Sequence, residues 1–165
     1  MSDAPEVRLL IFRVGDLVCA AEVDRVREIL PRLRTTRIPG APPAVVGLAN
    51  IRGTLVTVVE AWRLLGQASE NGHGQSGLGE RGGEGGGEDG VGATTVLLDV
   101  GSGRRLVALA VDEVMDLVVL GGDALEQRQA LPGLDPALVR AVGRRADRLF
   151  VVLDTDALLS PILSD

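Results

Sequence analysis

The sequence predicts a mainly β protein whose short strands form barrels or a sandwich. About ten short apolar runs, rich in Val and Leu, follow one another along the 165 residues, and turn signals separate them at the close spacing typical of such folds. Large aromatic side chains are almost absent, since Phe12, Trp62 and Phe150 are the only ones. Branched aliphatic side chains must therefore fill the core, and these favour strands.

The N-terminal part begins with a predicted hairpin. The run "VRLLIFRVGDLVCAAEV" has the turn dipeptide Gly15-Asp16 between two β-prone segments. The next run, "DRVREIL", places its apolar residues at helical spacing, with Asp24 as a candidate N-cap and Pro31 at its end. We therefore expect a short helix after the hairpin.

A proline-rich connector, "TTRIPGAPPAVVG", then leads to two more predicted strands. These are "AVVGLANI" and "TLVTVVE", joined around Arg52-Gly53. "EAWRLLG" follows as a short helix that ends at Gly66.

Residues 66–93 divide the chain into two parts, 1–65 and 94–165. Glycine accounts for 12 of the 27 residues from Gly66 to Gly92, and most of the others are polar. Such a composition cannot bury enough surface to offset the entropy of ordering. We expect a flexible linker that can be shortened with little change in stability, because loop closure depends only weakly on length.

The part after the linker is again mainly β. "TTVLLDV" and "RRLVALAV" predict strands joined by Gly101-Ser102-Gly103, and "EVMDLVVL" predicts a third. After an irregular stretch, "ALVRAVGRRADRLFVVLD" predicts two strands about Ala146-Asp147, and "TDALLSPIL" a closing short helix.

Charge and hydropathy exclude several classes of protein. The net charge is −6, of which −4 lies in the linker, and no basic stripe with interleaved aromatic residues indicates a nucleic-acid interface. The N-terminus lacks a signal-peptide pattern, and no apolar run reaches the roughly 18 residues of a membrane span. We expect a cytoplasmic protein that does not insert into the membrane.

Motifs for catalysis, cofactors or metals are weak. Two Gly-x-Gly-x-x-Gly matches, beginning at Gly72 and Gly77, lie inside the linker without the strand and helix that a dinucleotide site needs. His73, the only histidine, lies there too, and the chain has no lysine for a P-loop. Cys19, the only cysteine, is expected to be buried and inert.

Some carboxylates could in principle form acid–base or metal sites, but strand and helix-cap positions explain them more simply. They are Asp112, Glu113, Asp116, Asp154 and Asp156. We therefore expect no enzymatic activity, no cofactor and no metal, which leaves interaction with other proteins.

Several segments, taken in order, resemble the CheW family of chemotaxis coupling proteins. The most specific are "IPGAPPAVVGLANIRG", the "VREI" segment and "AVDEVMDL". The resemblance covers nearly the whole chain apart from the linker. It implies two packed SH3-like five-stranded β-barrels with a few short helices, and no catalysis.

The resemblance also implies a function and partners. Family members are adaptors that couple the cytoplasmic tip of chemoreceptors to the regulatory domain of a CheA-type histidine kinase, through separate surfaces. Carried over residue by residue, the resemblance implies a receptor- and partner-binding set, with the first two residues on the predicted short helix: Val26, Glu28, Gly47, Asn50, Arg52, Val96 and Leu117.

Arg52 has two interpretations, which the sequence leaves open. It can contact the receptor, or it can pair with Glu28 and lock the edge of a barrel. Gly53 would allow a turn geometry closed to other residues, and Asn50 would satisfy backbone groups there.

The chain departs from the family pattern at two points, of which the first is minor. Thr57 stands where the family often has proline, and the glycine-rich insertion is unusual. The insertion leaves open an adaptor of a signalling array outside chemotaxis. A small-ligand-binding β-barrel is a further alternative, which the scarcity of aromatic and convergent polar residues disfavours.

Overall fold

The computed structural model describes residues 5–66, 94–101, 105–127, 131 and 133–163. The predicted linker lies outside the described residues except for Gly66, and so do both glycine motifs. In chain order the elements are β1 (Glu6–Val14), β2 (Leu17–Glu22), β3 (Val26–Pro31), β4 (Val45–Ile51), β5 (Thr54–Glu60), α1 (Ala61–Leu65), β6 (Thr94–Val100), β7 (Arg105–Val111), β8 (Glu113–Gly121), β9 (Glu126–Gln127), β10 (Val139–Arg145), β11 (Arg148–Leu153) and α2 (Thr155–Leu163).

The mainly β prediction is confirmed, and most predicted elements lie where the sequence placed them. The hairpins turn at Gly15-Asp16, Arg52-Gly53 and Ala146-Asp147. The helix α1 ends at Gly66, which adopts a left-handed conformation with φ 70°. Glycine takes this conformation without steric cost, as the sequence pattern predicted.

The short helix predicted for "DRVREIL" is wrong. Only Val23–Arg25 form a 3₁₀ turn, without a side-chain cap from Asp24 or any other residue, and Val26–Pro31 form strand β3. Along β3, half-buried and exposed residues alternate with a period of two. Antiparallel pairing with β6 supplies the backbone hydrogen bonds of this strand. The spacing of apolar residues within the segment carries no information about this pairing. Val26 and Glu28 therefore lie on a strand.

The strands form two sheets, and each sheet contains strands from both sides of the linker. The six-stranded sheet has the order β8-β1-β2-β11-β10-β9, in which β9 has only two residues, and the five-stranded sheet has the order β3-β6-β7-β5-β4. The sequence halves 1–65 and 94–165 are therefore not the two structural units.

The two sheets share one pairing scheme. The order β8-β1-β2-β11-β10 corresponds strand by strand to β3-β6-β7-β5-β4. In both, the third and fourth strands are parallel and every other pair is antiparallel. The register makes β8 equivalent to β3, and the β10–β11 hairpin equivalent to the β4–β5 hairpin.

Three apolar clusters form the core. One contains residues of both sheets, such as Leu10 and Phe12 from β1 and Val96 and Leu109 from β6 and β7, so it lies between the sheets. A second uses only the other face of the six-stranded sheet, around Phe150. A third uses only the other face of the five-stranded sheet. Each sheet thus has its own inner face, and the two outer faces pack together.

Two sequence expectations concern single features of this core. Cys19 is fully buried between the sheets, and burial raises the pKa of its thiol well above the usual range. A thiolate is therefore disfavoured, in agreement with an inert cysteine. No helix in the described ranges is long and apolar enough to span a membrane.

Candidate partner-binding site

The apolar run 45–59 contains a tight turn that explains its polar residues. Arg52 and Gly53 both have positive φ, 50° and 89°, as a two-residue hairpin turn requires. The Gly53 N–H donates to Asn50 Oδ1 at 2.8 Å. Asn50 thus stabilises the turn locally, and the turn presents the Arg52 guanidinium at the surface.

Arg52 forms a bidentate ion pair with Glu28 that joins the two opposite edges of the five-stranded sheet. Its Nη1 donates to Glu28 Oε2 at 3.2 Å, and its Nη2 donates to Glu28 Oε1. The hydrogen bond from Arg52 lowers the pKa of Glu28, and Glu28 raises the pKa of Arg52. Strand β3 is thereby joined to the β4–β5 hairpin, as one interpretation of the sequence proposed.

Exposed aliphatic side chains accompany this pair. Ile29 follows Glu28 on β3 and is 47% exposed, and Leu55 follows the turn on β5 and is 65% exposed. We call Glu28, Ile29, Arg52 and Leu55 the β3 seam. On the inner face of the sheet, a small cleft beside the Glu28–Arg52 pair is lined by residues of β3 to β7, Ile51 and Leu97 among them.

The six-stranded sheet has an equivalent arrangement, the β8 seam, made of Asp116, Leu117, Arg145 and Leu149. Arg145 Nη2 lies 2.6 Å from Asp116 Oδ2 and joins β8 to the β10–β11 hairpin. The hydrogen bonds from Arg145 and from the Leu117 N–H lower the pKa of Asp116. Leu117 is 58% exposed and Leu149 is 48% exposed.

The register shows that the carboxylates and the aliphatic residues of the two seams lie at equivalent positions, whereas the arginines do not, since Arg145 corresponds to Ile51. Asp116 and Glu28 lie opposite Ile11 and Leu97, which face the inner clusters of their sheets. Leu117 and Ile29 lie opposite Leu10 and Val96, which belong to the cluster between the sheets. Directly opposite residues share a face. Leu117 and Ile29 thus extend the inter-sheet apolar surface to the exterior, one at each sheet edge.

The remaining predicted site residues are less exposed. Val26 is half-buried at the start of β3 and packs against the inter-sheet cluster. Gly47 is buried where the connector crosses β4, and an added Cβ would lie 2.3 Å from the Thr36 carbonyl oxygen. Val96 is fully buried between the sheets. Its side chain can act only by supporting the surface from beneath.

The structure therefore brings some of the predicted site together. Glu28 and Arg52 belong to the β3 seam, and Val26 and Asn50 lie near it on β3 and β4, whereas Leu117 lies on the other sheet. Sequence reasoning missed Ile29, Leu55, Leu149 and the Asp116–Arg145 pair. Ile29 and Leu55 each have an aliphatic neighbour in the sequence, and nothing local marks them as exposed, because only the register shows which face a strand residue occupies.

Most of the carboxylates considered in the sequence hold turns, caps or arginines. Asp112 accepts from the Gly15 N–H at 2.7 Å, and Asp156 accepts from the Gly101 N–H at 2.9 Å and pairs with Arg25 at 3.0 Å. Asp154 caps α2 through the Ala157 N–H at 3.0 Å. In the ranges that the structure describes, no group of three or more His, Cys, Asp or Glu residues could hold a metal ion.

Comparison with known proteins identifies the family. A model of the CheW-like domain matches residues 8–162, so the chain belongs to the CheW-like domain family. The chain is 25% identical over 155 residues to the chemotaxis protein CheW of Klebsiella aerogenes, covering 92% of this chain and 80% of that protein. It is 22% identical over 158 residues to a probable chemotaxis protein CheW of Rhizobium etli, covering 95% and 90%.

A solved structure supports the same fold. The scaffolding protein TtCheW of Thermoanaerobacter tengcongensis superposes with a TM-score of 0.73 at 17% identity, covering 94% of this chain and 93% of that one. At this identity the likeness concerns the fold.

Proposed function

We propose that this protein is a non-catalytic adaptor that couples a chemoreceptor to a CheA-type histidine kinase. The observation that carries the proposal is the exposure of Ile29 and Leu117 on the faces that otherwise form the inter-sheet core. Exposed aliphatic residues that continue a buried apolar surface are typical of protein-binding sites. Membership of the CheW-like family and the chemotaxis proteins among its relatives support the proposal.

The receptor-facing surface is proposed to include the β3 seam and Leu117. A receptor tip is a helical hairpin, and an amphipathic helix fits an aliphatic floor with a charged rim. Ile29 and Leu117 provide the floor, and the Glu28–Arg52 pair provides a rim. The kinase regulatory domain would bind a different face.

A binding experiment with both partners tests this assignment. Ile29→Asp and Leu117→Asp should each weaken binding of a receptor-tip fragment at least about tenfold, because a carboxylate would have to be desolvated. Binding of the kinase regulatory domain and the melting temperature should stay unchanged. Val96→Asp is the matched control for burial, since it should abolish folding and both interactions together. Equal loss of both partners with Leu117→Asp would contradict the assignment.

The two interpretations of Arg52 can be separated by exchanging its charge with that of its partner. Arg52→Ala removes the pair, whereas the double variant Glu28→Arg/Arg52→Glu retains it in reverse. If the pair acts by holding β3 to the hairpin, the double variant should restore receptor binding that each single variant loses. If Arg52 itself contacts the receptor, the double variant should remain defective.

A further inference from the structure

The two seams are equivalent in aliphatic residues but differ in the charges beside them. On the β8 seam side, Arg8 lies opposite Val119, and Arg144 lies opposite Leu149. The equivalent positions in the five-stranded sheet are Thr94, opposite Pro31, and Asn50, opposite Leu55. The same face thus carries two arginines in one sheet and neutral residues in the other.

Both arginines are available for a partner. Arg8 and Arg144 are exposed and have no hydrogen-bond or ion-pair partner in the part of the chain that the structure describes. Val119, which is 51% exposed, lies opposite Arg8, and Leu149 lies opposite Arg144. The Asp116–Arg145 ion pair brings β10 beside β8, which carries Leu117 and Val119. This face therefore carries exposed aliphatic residues, with one free guanidinium beside Val119 and another beside Leu149.

No carboxylate in the described ranges pairs with Arg8 or Arg144. Asp116 is held by Arg145 and faces the interior side of the sheet. Asp147 lies in the hairpin turn, where the exposed Arg148 follows it, and Glu6 lies two residues before Arg8, farther along β1 from Leu117. Neither of these two carboxylates pairs with Arg8 or Arg144.

From this arrangement we propose that the β8 seam, with Val119, Arg8 and Arg144, binds an acidic amphipathic segment of a partner protein. Its apolar side chains would cover Leu117, Val119 and Leu149, and its carboxylates would pair with the two arginines. Three exposed aliphatic residues disfavour a nucleic acid, which would need stacking or groove contacts that they cannot provide. The inference rests on the proposed function, because it assumes that a protein partner binds at Leu117. It adds that the bound segment of this partner is acidic.

A synthetic helical peptide tests the inference, with leucines on one face and glutamates on both flanks. Fluorescence anisotropy should show binding to the full chain, weakened roughly tenfold when glutamines replace the glutamates and absent when lysines do. Affinity should fall with added salt, because exposed charges are screened. Equal binding of the glutamate and lysine peptides, no binding of any peptide, or preference for a DNA duplex would overturn the proposal.

Variants of the chain locate the site and provide the control. Arg8→Glu/Arg144→Glu should weaken binding of the glutamate peptide at least about tenfold. Arg34→Glu/Arg37→Glu makes the same charge change on exposed connector residues and should have no effect. An equal loss in both double variants would mean that net charge alone attracts the peptide and would overturn the site. Failure of the native chain to bind a receptor tip would refute the adaptor function instead, since the peptide measurement does not depend on it.

Discussion

Gly47 shows how a residue assigned to a binding surface can act through the fold. The connector forms a bridge with β4 at this point, where Thr36 and Leu48 exchange backbone hydrogen bonds of 2.8 Å in both directions. Only a glycine leaves room for the Thr36 carbonyl beside residue 47. The proposed role of Gly47 in receptor binding is therefore to fix the connector against β4.

Gly47→Ala is expected to lower the free energy of unfolding by about 1–3 kcal/mol, because a Cβ must displace backbone rather than a flexible side chain. Denaturant titration measures this change. Gly40→Ala is the control, since its Cβ would meet no atom within 4 Å and only the positive φ of 80° opposes it. A loss no larger at residue 47 than at residue 40 would contradict the steric argument.

The two ion pairs predict a pH dependence of stability. Arginine lowers the pKa of Glu28 and of Asp116 in the folded state, so each pair stabilises the fold above the ordinary carboxyl pKa. This contribution is lost as the pH falls through the lowered pKa. Arg52→Ala and Arg145→Ala should therefore melt at lower temperature than the native chain at neutral pH.

Thermal melts at strongly acidic pH provide the comparison for this prediction. Once both carboxyls are protonated, the native chain and the two variants should melt at similar temperatures. A difference that persists unchanged at acidic pH would show that the arginines stabilise the fold by packing rather than by charge.

At the scale of elements, the two equivalent hairpins differ in how a positive φ at their turn is stabilised. Each has a non-glycine residue with positive φ, Arg52 at 50° in one and Ala146 at 57° in the other. Arg52 offsets this backbone cost through its pair with Glu28, whereas Ala146 has no side-chain interaction that could do so. A substitution that removes the backbone strain at Ala146 should therefore stabilise the fold.

Ala146→Gly is expected to raise the free energy of unfolding by up to about 1 kcal/mol, because glycine adopts positive φ freely and only part of the gain is lost to unfolded-state entropy. Denaturant titration checks the change. Ala146→Val should destabilise, since a β-branched residue fits this conformation worst. Arg52→Gly should not stabilise, because it removes the ion pair. Stabilisation by valine would rule out the backbone explanation.

At the scale of the whole molecule, the sheets depend on both sides of the linker. Strands β1 and β2 pair with β8 and β11, and β3 and β5 pair with β6 and β7. Neither 1–65 nor 94–165 contains a complete sheet. The linker thus connects two parts of one folding unit.

Fragments 1–66 and 94–165, prepared separately, are expected to be unfolded alone and to form the native sheets when mixed. Circular dichroism and a cooperative melt of the mixture measure this, with the full chain as reference. The same mixture, compared with the full chain, checks whether residues 67–93 are dispensable for folding. Cooperative unfolding of either fragment alone would contradict the interleaved topology as the basis of stability.

The sequence by itself determined the local features of this protein. Turn residues between β-prone apolar runs placed the hairpins at Gly15-Asp16 and Arg52-Gly53, and the family motif indicated Glu28 and Arg52 as a possible pair. These signals are local, because a turn dipeptide or a strand period involves only neighbouring residues.

Tertiary structure alone decided whether "VREIL" is a helix or a strand, and which residues of each strand are exposed. The spacing of Val26, Ile29 and Leu30 fits a helix, but hydrogen bonding to β6, more than 60 residues away in sequence, makes it a strand. Likewise, Val96 and Ile29 are both β-branched aliphatic residues followed by leucine, yet one is buried and the other exposed. Sheet register and the packing of one sheet on the other set this difference, and both depend on contacts between residues far apart in the chain.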